Sequence, residues 1–228
     1  MGVPADREPR ERGSLLRELR EAYVGALLLG DDLRAERAVR EAIDAGCDEA
    51  AIHREILEPS MRRIGELWED GTLNVADEHL ATQITLRVLA LEREAFRVAH
   101  GRRDHRVMLC AVEGELHTLG QHMVRNLIAG SGYDTGFLGA DVPIDSLAPI
   151  VAKHRPHVLA LGATMSASGE LLPLAIDEVR RGAPETALLL GGQGVPAELR
   201  EEPGLAVARG PTGVVDLVDA LVRRPELN

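Results

Sequence analysis

The sequence predicts an α/β protein in which a four-helix bundle is followed by a doubly wound, five-stranded parallel sheet. Three observations carry that expectation. From Ser14 to His100 apolar residues return every three or four positions, the period of an amphipathic helix. From Arg106 onward short runs rich in Val and Leu alternate with amphipathic stretches, as strands buried on both faces and their covering helices require. Between the two patterns lies Gly101-Arg102-Arg103-Asp104-His105, polar enough to be a linker. The expected organisation is a loose charged tail over 1–13, a helical domain over 14–100 and an α/β domain over 106–228.

Helices are expected at Ser14–Leu29, Asp31–Ala45, Asp48–Trp68 and Val75–Ala99, parted by Gly30-Asp31, Gly46-Cys47 and Asp70-Gly71. Connections this short make sequential helices roughly antiparallel neighbours. Pro59 has no amide hydrogen and should begin a new helix or kink the third. The strands fall at Val107–Ala111, Asp134–Phe137, Val158–Leu161, Ala187–Leu190 and Leu205–Ala208. Further helices are expected around His117–Ala129, Ile144–Lys153, Leu171–Arg180, Ala197–Arg200 and Val214–Val222. This alternation is flavodoxin-like, Rossmann-like in the broad sense, and such sheets bind ligands at the carboxyl ends of their strands. The loops after the first, third and fourth strands therefore matter most.

Of 228 residues, 45% are hydrophobic and 28% charged, enough apolar matter for a packed interior. The formal charge of −11 argues against nucleic acid as a direct partner, because affinity for a phosphate backbone rests on Lys and Arg. Cys47 and Cys110 fall in segments read as helix and strand, so neither a disulfide framework nor a zinc–thiolate site is implied, and a reducing cytoplasm fits. Met1–Gly13 lacks the apolar run of a secretory signal, and no stretch is long enough to span a membrane. Aromatic residues make up 2% of the chain, which leaves the single Trp68 conspicuous in an aliphatic interior.

The loop after the first strand reads Glu113-Gly114-Glu115-Leu116-His117-Thr118-Leu119-Gly120. An imidazole there can coordinate a transition metal through one nitrogen while its other N–H donates to an oriented acceptor, and Glu115 is placed to be that acceptor. Gly120 would let the backbone approach a bulky ligand. Taken alone, such a run is more often a polar surface loop. The order Glu115, His117, Gly120 resembles the signature of the cobalamin-binding domain family. The resemblance implies that His117 is the lower axial ligand of cobalt and that the nucleotide tail of the cofactor is buried beside the sheet. It also implies that the tail is lined by a Ser/Thr segment after the third strand and a double glycine after the fourth. Gly162-Ala163-Thr164-Met165-Ser166 and Gly191-Gly192-Gln193 stand at those places, which assigns Thr164, Ser166, Gly191 and Gly192 to the tail. The family's usual Ser at the end of the third strand is Gly162 here, so the hydroxyl comes from Thr164, from Ser166 or from neither.

In the helical half, Trp68 is followed after nine residues by Glu78-His79. The bland reading is a core Trp next to a Glu favoured by the helix dipole. The spacing resembles the cap of light-sensing cobalamin regulators of the CarH type. That resemblance implies a corrin held between the helical cap and the α/β domain, with Trp68, Glu78 and His79 around its upper ligand. Two departures limit it. The DNA-reading helix-turn-helix of those regulators has no counterpart, so direct operator binding is not expected. Glu69 follows Trp68 where those sensors carry the His that captures cobalt after the upper ligand is lost, leaving His79, or His53 if it lies close, to substitute.

The expected function is a non-enzymatic, light-responsive cobalamin sensor. It would carry adenosylcobalamin or methylcobalamin, with hydroxocobalamin as a further form. Its signal would pass to a protein partner such as a separate transcription regulator, or through ligand-dependent homo-oligomerisation. The alternative is a corrinoid carrier for a methyltransferase, because such carriers resemble this chain in having a helical bundle before the same α/β domain. No nucleophile–base set or phosphate loop supports a self-sufficient enzyme.

Overall fold

In the computed structural model, which describes residues 9–96 and 103–223, helix α1 spans Pro9–Leu29 and α2 Asp32–Asp44. Helix α3 (Glu49–Ile52) runs through a π-helical turn, His53–Leu57, into α4 (Glu58–Glu69), and α5 covers Val75–Phe96. Residues 9–13 of the expected tail are thus helical. Residues 1–8, the end of the expected last helix and the first part of the linker lie outside the described residues.

Each boundary has a local cause. Asp31 and Asp48 accept the amides of Arg34 and Ala51, capping α2 and α3. Asn74 accepts the Ala76 and Asp77 amides while Asp77 accepts the Asn74 amide, a reciprocal cap that starts α5. The π turn sits where Pro59 would otherwise deprive a carbonyl of its donor. The Glu58 amide reaches back five residues to the His53 carbonyl, and the chain continues as one helix instead of breaking.

The chain divides into two compact units, Met1–Phe96 and Arg97–Asn228. The first is a bundle whose interior combines small and branched residues: Ala26, Ala35, Ala42, Ile52, Ile56 and Val88 are all buried. Tyr23 is buried with them and its hydroxyl donates to Thr85 at 3.1 Å.

The second unit is a parallel sheet of order β2-β1-β3-β4-β5. Its strands are β1 (Arg106–Ala111), β2 (Asp134–Phe137), β3 (Val158–Gly162), β4 (Ala187–Gly191) and β5 (Leu205–Ala208). Alternate residues divide the core in two. Met108, Cys110, Leu159, Leu161, Leu188 and Leu190 face α7 (Ile144–His154) and α9 (Leu172–Gly182). On the other face Val107, Leu109, Val158 and Leu189 meet α6 (Leu119–Gly130) and α10 (Val214–Val222). The remaining helix, α8, is a single turn at Ser166–Gly169 that the sequence did not announce. The helix expected at Ala197–Arg200 is a turn instead, with the Leu199 amide on the Pro196 carbonyl. Prolines at 196 and 203 leave too few residues to offset helix nucleation.

Register aligns Ala111, Gly162, Gly191 and Ala208 across four neighbouring strands at the carboxyl edge. The order reverses between β1 and β3, so this edge is the topological switch point where open α/β sheets bind ligands.

Candidate functional site

Glu115 organises the switch point. It is buried, and its Oε2 accepts the Thr164 amide at 2.6 Å, the Met165 amide at 2.9 Å and the Ser168 hydroxyl at 2.7 Å, tying the loop after β1 to the loop after β3. Oε1 accepts the His117 amide at 2.8 Å and lies 2.6 Å from His117 Nδ1. Burial pushes this carboxyl up, but the amides of Met165, His117 and Thr164 and the Ser168 hydroxyl outweigh it and hold the group down at about 2. Glu115 is therefore ionised and can only accept. Nδ1 of His117 must be the donor, and the lone pair of the neutral ring is left on Nε2.

The imidazole itself is largely exposed, with 62% of its side chain open to solvent, and the apolar side chains of Leu116 and Met165 are exposed beside it in sequence and at the partner loop. The loop is pinned from below: Gly114, at φ +78°, donates to Asp141, the Asp141 amide donates to the Glu115 carbonyl, and Glu113 accepts the Ile144 amide. This is a preformed support that presents Nε2 of the imidazole at the carboxyl edge of the sheet. It can hold a metal from one side.

The glycines sort by what surrounds them. A Cβ on Gly120 would meet nothing within 4 Å, so the protein leaves that side of the α6 start open. At Gly192, with φ +112°, a Cβ would lie 2.1 Å from the Ala163 carbonyl oxygen, so this glycine is required by the protein's own backbone. At Gly191 the nearest atom would be 3.9 Å away, ordinary contact. Thr164 and Ser166 are exposed, and Thr164 serves Glu115 through its amide.

Two participants were not anticipated. Ser168, in the single-turn α8, carries the third polar link to Glu115 from outside its own loop; only its distance from Glu115 in sequence hid it. Gln121 follows Gly120 and lies over Gly162, where a Cβ would be 2.1 Å from its Nε2. Both amide atoms of Gln121 are buried without a hydrogen-bond partner, which leaves them available to polar groups of a ligand. The side chain that β3 lacks at Gly162 is replaced in space by this amide.

In the helical unit, Trp68 ends α4 with 48% of its surface exposed, so it is not a core residue. Glu78 and His79 open α5: Oε2 of Glu78 lies 2.8 Å from His79 Nδ1, and its Oε1 accepts the Thr82 hydroxyl at 2.8 Å. His79 is exposed, whereas His53 is buried against Glu92 and presents nothing to a surface ligand.

Comparison with known proteins places the chemistry. The B12 binding domain family matches this chain twice, over residues 19–92 and over residues 105–218. The chain belongs to the B12-binding family. Among its relatives, the HTH-type transcriptional repressor CarH of Myxococcus xanthus is 30% identical over 166 residues, 72% of this chain and 54% of that protein. Trimethylamine corrinoid protein 1 of Methanosarcina mazei is 28% identical over 139 residues, 60% of this chain and 63% of its own. The chain thus spans less than two thirds of either relative. The monomethylamine corrinoid protein of Methanosarcina barkeri shares the fold, with a TM-score of 0.74 at 19% identity over 90% of this chain and 97% of that one. Cobalamin fits what the B12-binding unit offers: an imidazole with a free Nε2 lone pair, an open Gly120, and an uncompleted amide at Gln121 beside a side-chain-free Gly162. Among the described residues no helix is long and apolar enough to cross a membrane.

Proposed function

We propose that this cobalamin-binding protein is a light-responsive sensor, with no catalytic set of its own, that reports the state of the cobalt upper ligand to a protein partner or through self-association. Bound cobalamin supplies a weak cobalt–carbon bond that visible light can break. His117 would hold the cobalt through Nε2, with Glu115 fixing the ring and its tautomer. Gln121, Thr164, Ser166 and the Gly191–Gly192 segment serve the tail. Trp68, Glu78 and His79 would receive the cofactor's alkyl group, adenosyl or methyl.

The observation that carries the sensor reading is Trp68. A lone Trp in an aliphatic bundle ordinarily anchors the core. Here it is half exposed, near in sequence to a Glu–His pair already hydrogen-bonded to each other. That is a surface kept for a ligand. The second reading, a corrinoid carrier, is supported by the fold shared with the monomethylamine corrinoid protein and by the trimethylamine corrinoid relative.

Spectra of protein loaded with adenosylcobalamin or methylcobalamin, in darkness and after illumination, with molecular size measured in both states, separate the two. A sensor changes spectrum and assembly on illumination, and Trp68→Ala removes the assembly change while cobalamin stays bound. An assembly indifferent to light with either alkyl ligand, together with methyl transfer to a partner enzyme, would establish the carrier instead.

A further inference from the structure

A second polar cluster lies inside the helical unit, on residues that the cobalamin site does not use. Glu49 opens α3, His53 opens the π turn and Glu92 belongs to α5; they are 8%, 1% and 0% exposed. One ligand atom from each lies within 4.8 Å of those from the other two. His53 Nε2 is 2.9 Å from Glu92 Oε2, and that is the cluster's single internal hydrogen bond. Glu49 Oε1, His53 Nδ1 and Glu92 Oε1 are buried with no partner.

Such a group does not stay uncompensated. Two carboxylates and an imidazole enclosed in an aliphatic bundle cost far more than one hydrogen bond returns. A divalent cation balances the two carboxylates, leaves the imidazole neutral and supplies the missing partner to acceptor atoms at one stroke. The donor set selects the cation's class. Hard cations such as calcium and magnesium take oxygen ligands, whereas one imidazole with two carboxylates suits zinc and its first-row neighbours. Ligand atoms sit about 3.4 Å apart around a tetrahedral zinc. The 2.9 Å pair and the 4.8 Å limit bracket that spacing. Glu49 and His53 stand one α-helical turn apart, which puts them on one face of the helix, and the π turn that begins at His53 is a feature that recurs at functional sites.

We propose that Glu49, His53 and Glu92 bind a divalent first-row transition-metal ion of the zinc class, which fastens the α3–π–α4 helix to α5. This site is separate from the corrin cobalt and stands whichever reading of the cobalamin site holds.

The test uses the full chain, purified without a polyhistidine tag or chelator. It is incubated with zinc, freed of excess ion by gel filtration, and analysed for zinc, manganese, iron and nickel, so that corrin cobalt is not counted. The wild type should retain about one equivalent per chain, and a chelator should remove the metal and lower the thermal midpoint. His53→Ala and Glu92→Gln should each retain about tenfold less or lower still, while His117→Ala retains the full amount. Should either bundle variant fail to fold, competition of the wild type against a chromophoric zinc chelator decides. Wild-type protein that keeps no metal after zinc incubation overturns the site, as does zinc retention unchanged in folded His53→Ala and Glu92→Gln.

Discussion

Two buried acidic sites in this chain face opposite fates. Glu115, under the loops of the sheet, receives hydrogen bonds from three amides, a hydroxyl and an imidazole, and its carboxyl is held down at about 2. Glu49 and Glu92, inside the bundle, share one imidazole. Burial pushes Glu49 up to about 7, against the pull of His53, and pushes Glu92 up as well. All three carboxylates are closed to solvent, but Glu49 and Glu92 lie deeper than Glu115 and have fewer donors. Shallower placement and the amides arranged around it together keep Glu115 charged.

The largest effect on this comparison should come from Glu115→Gln, which turns an acceptor into a donor facing donors. Unfolding measurements should show a loss of about 2–4 kcal/mol, since several buried amides lose their partner. Cobalamin affinity should fall by about 10–100-fold through loss of His117 orientation. A variant as stable and as avid as the wild type would refute the clamp.

Backbone contact at the same edge gives a second, smaller contrast. Gly192→Ala should cost about 1–3 kcal/mol even without cofactor, because the added Cβ strikes the Ala163 carbonyl. Gly191→Ala should stay within about 0.5 kcal/mol, as an ordinary contact permits. Equal effects in chemical denaturation would mean that the two glycines are not distinguished by backbone approach.

The smallest effects belong to the donor-poor groups. Glu92→Gln in chelator-treated protein should be neutral or stabilising by up to about 1 kcal/mol, since it removes an under-bonded charge. Gln121→Leu should likewise leave the cofactor-free protein no less stable while weakening cobalamin by about tenfold, the scale of one lost hydrogen bond to a polar ligand. Cofactor-free destabilisation of Gln121→Leu with affinity intact would make that amide structural.

Much of this was legible from residue order. Strand positions follow from Val and Leu runs whose alternate members face opposite helices, and Glu115 and His117 were visible because acceptor and imidazole are two residues apart. What stayed hidden depended on distant partners. Ser168 reaches Glu115 only because β1 and β3 are adjacent. Gln121 matters only because Gly162, forty-one positions on, has no side chain. The cluster of Glu49, His53 and Glu92 joins helices whose facing sides no local pattern reports.

The Glu115 clamp has a kinetic consequence. The amides of His117, Thr164 and Met165 all end on one side chain, so they should exchange with solvent deuterium as a single cooperative set. Both loops are already shaped before any cofactor arrives, and no segment of the lower support has to order itself during capture. Uptake at this face should then need no ordering of the protein, with the clamp setting how long the complex persists.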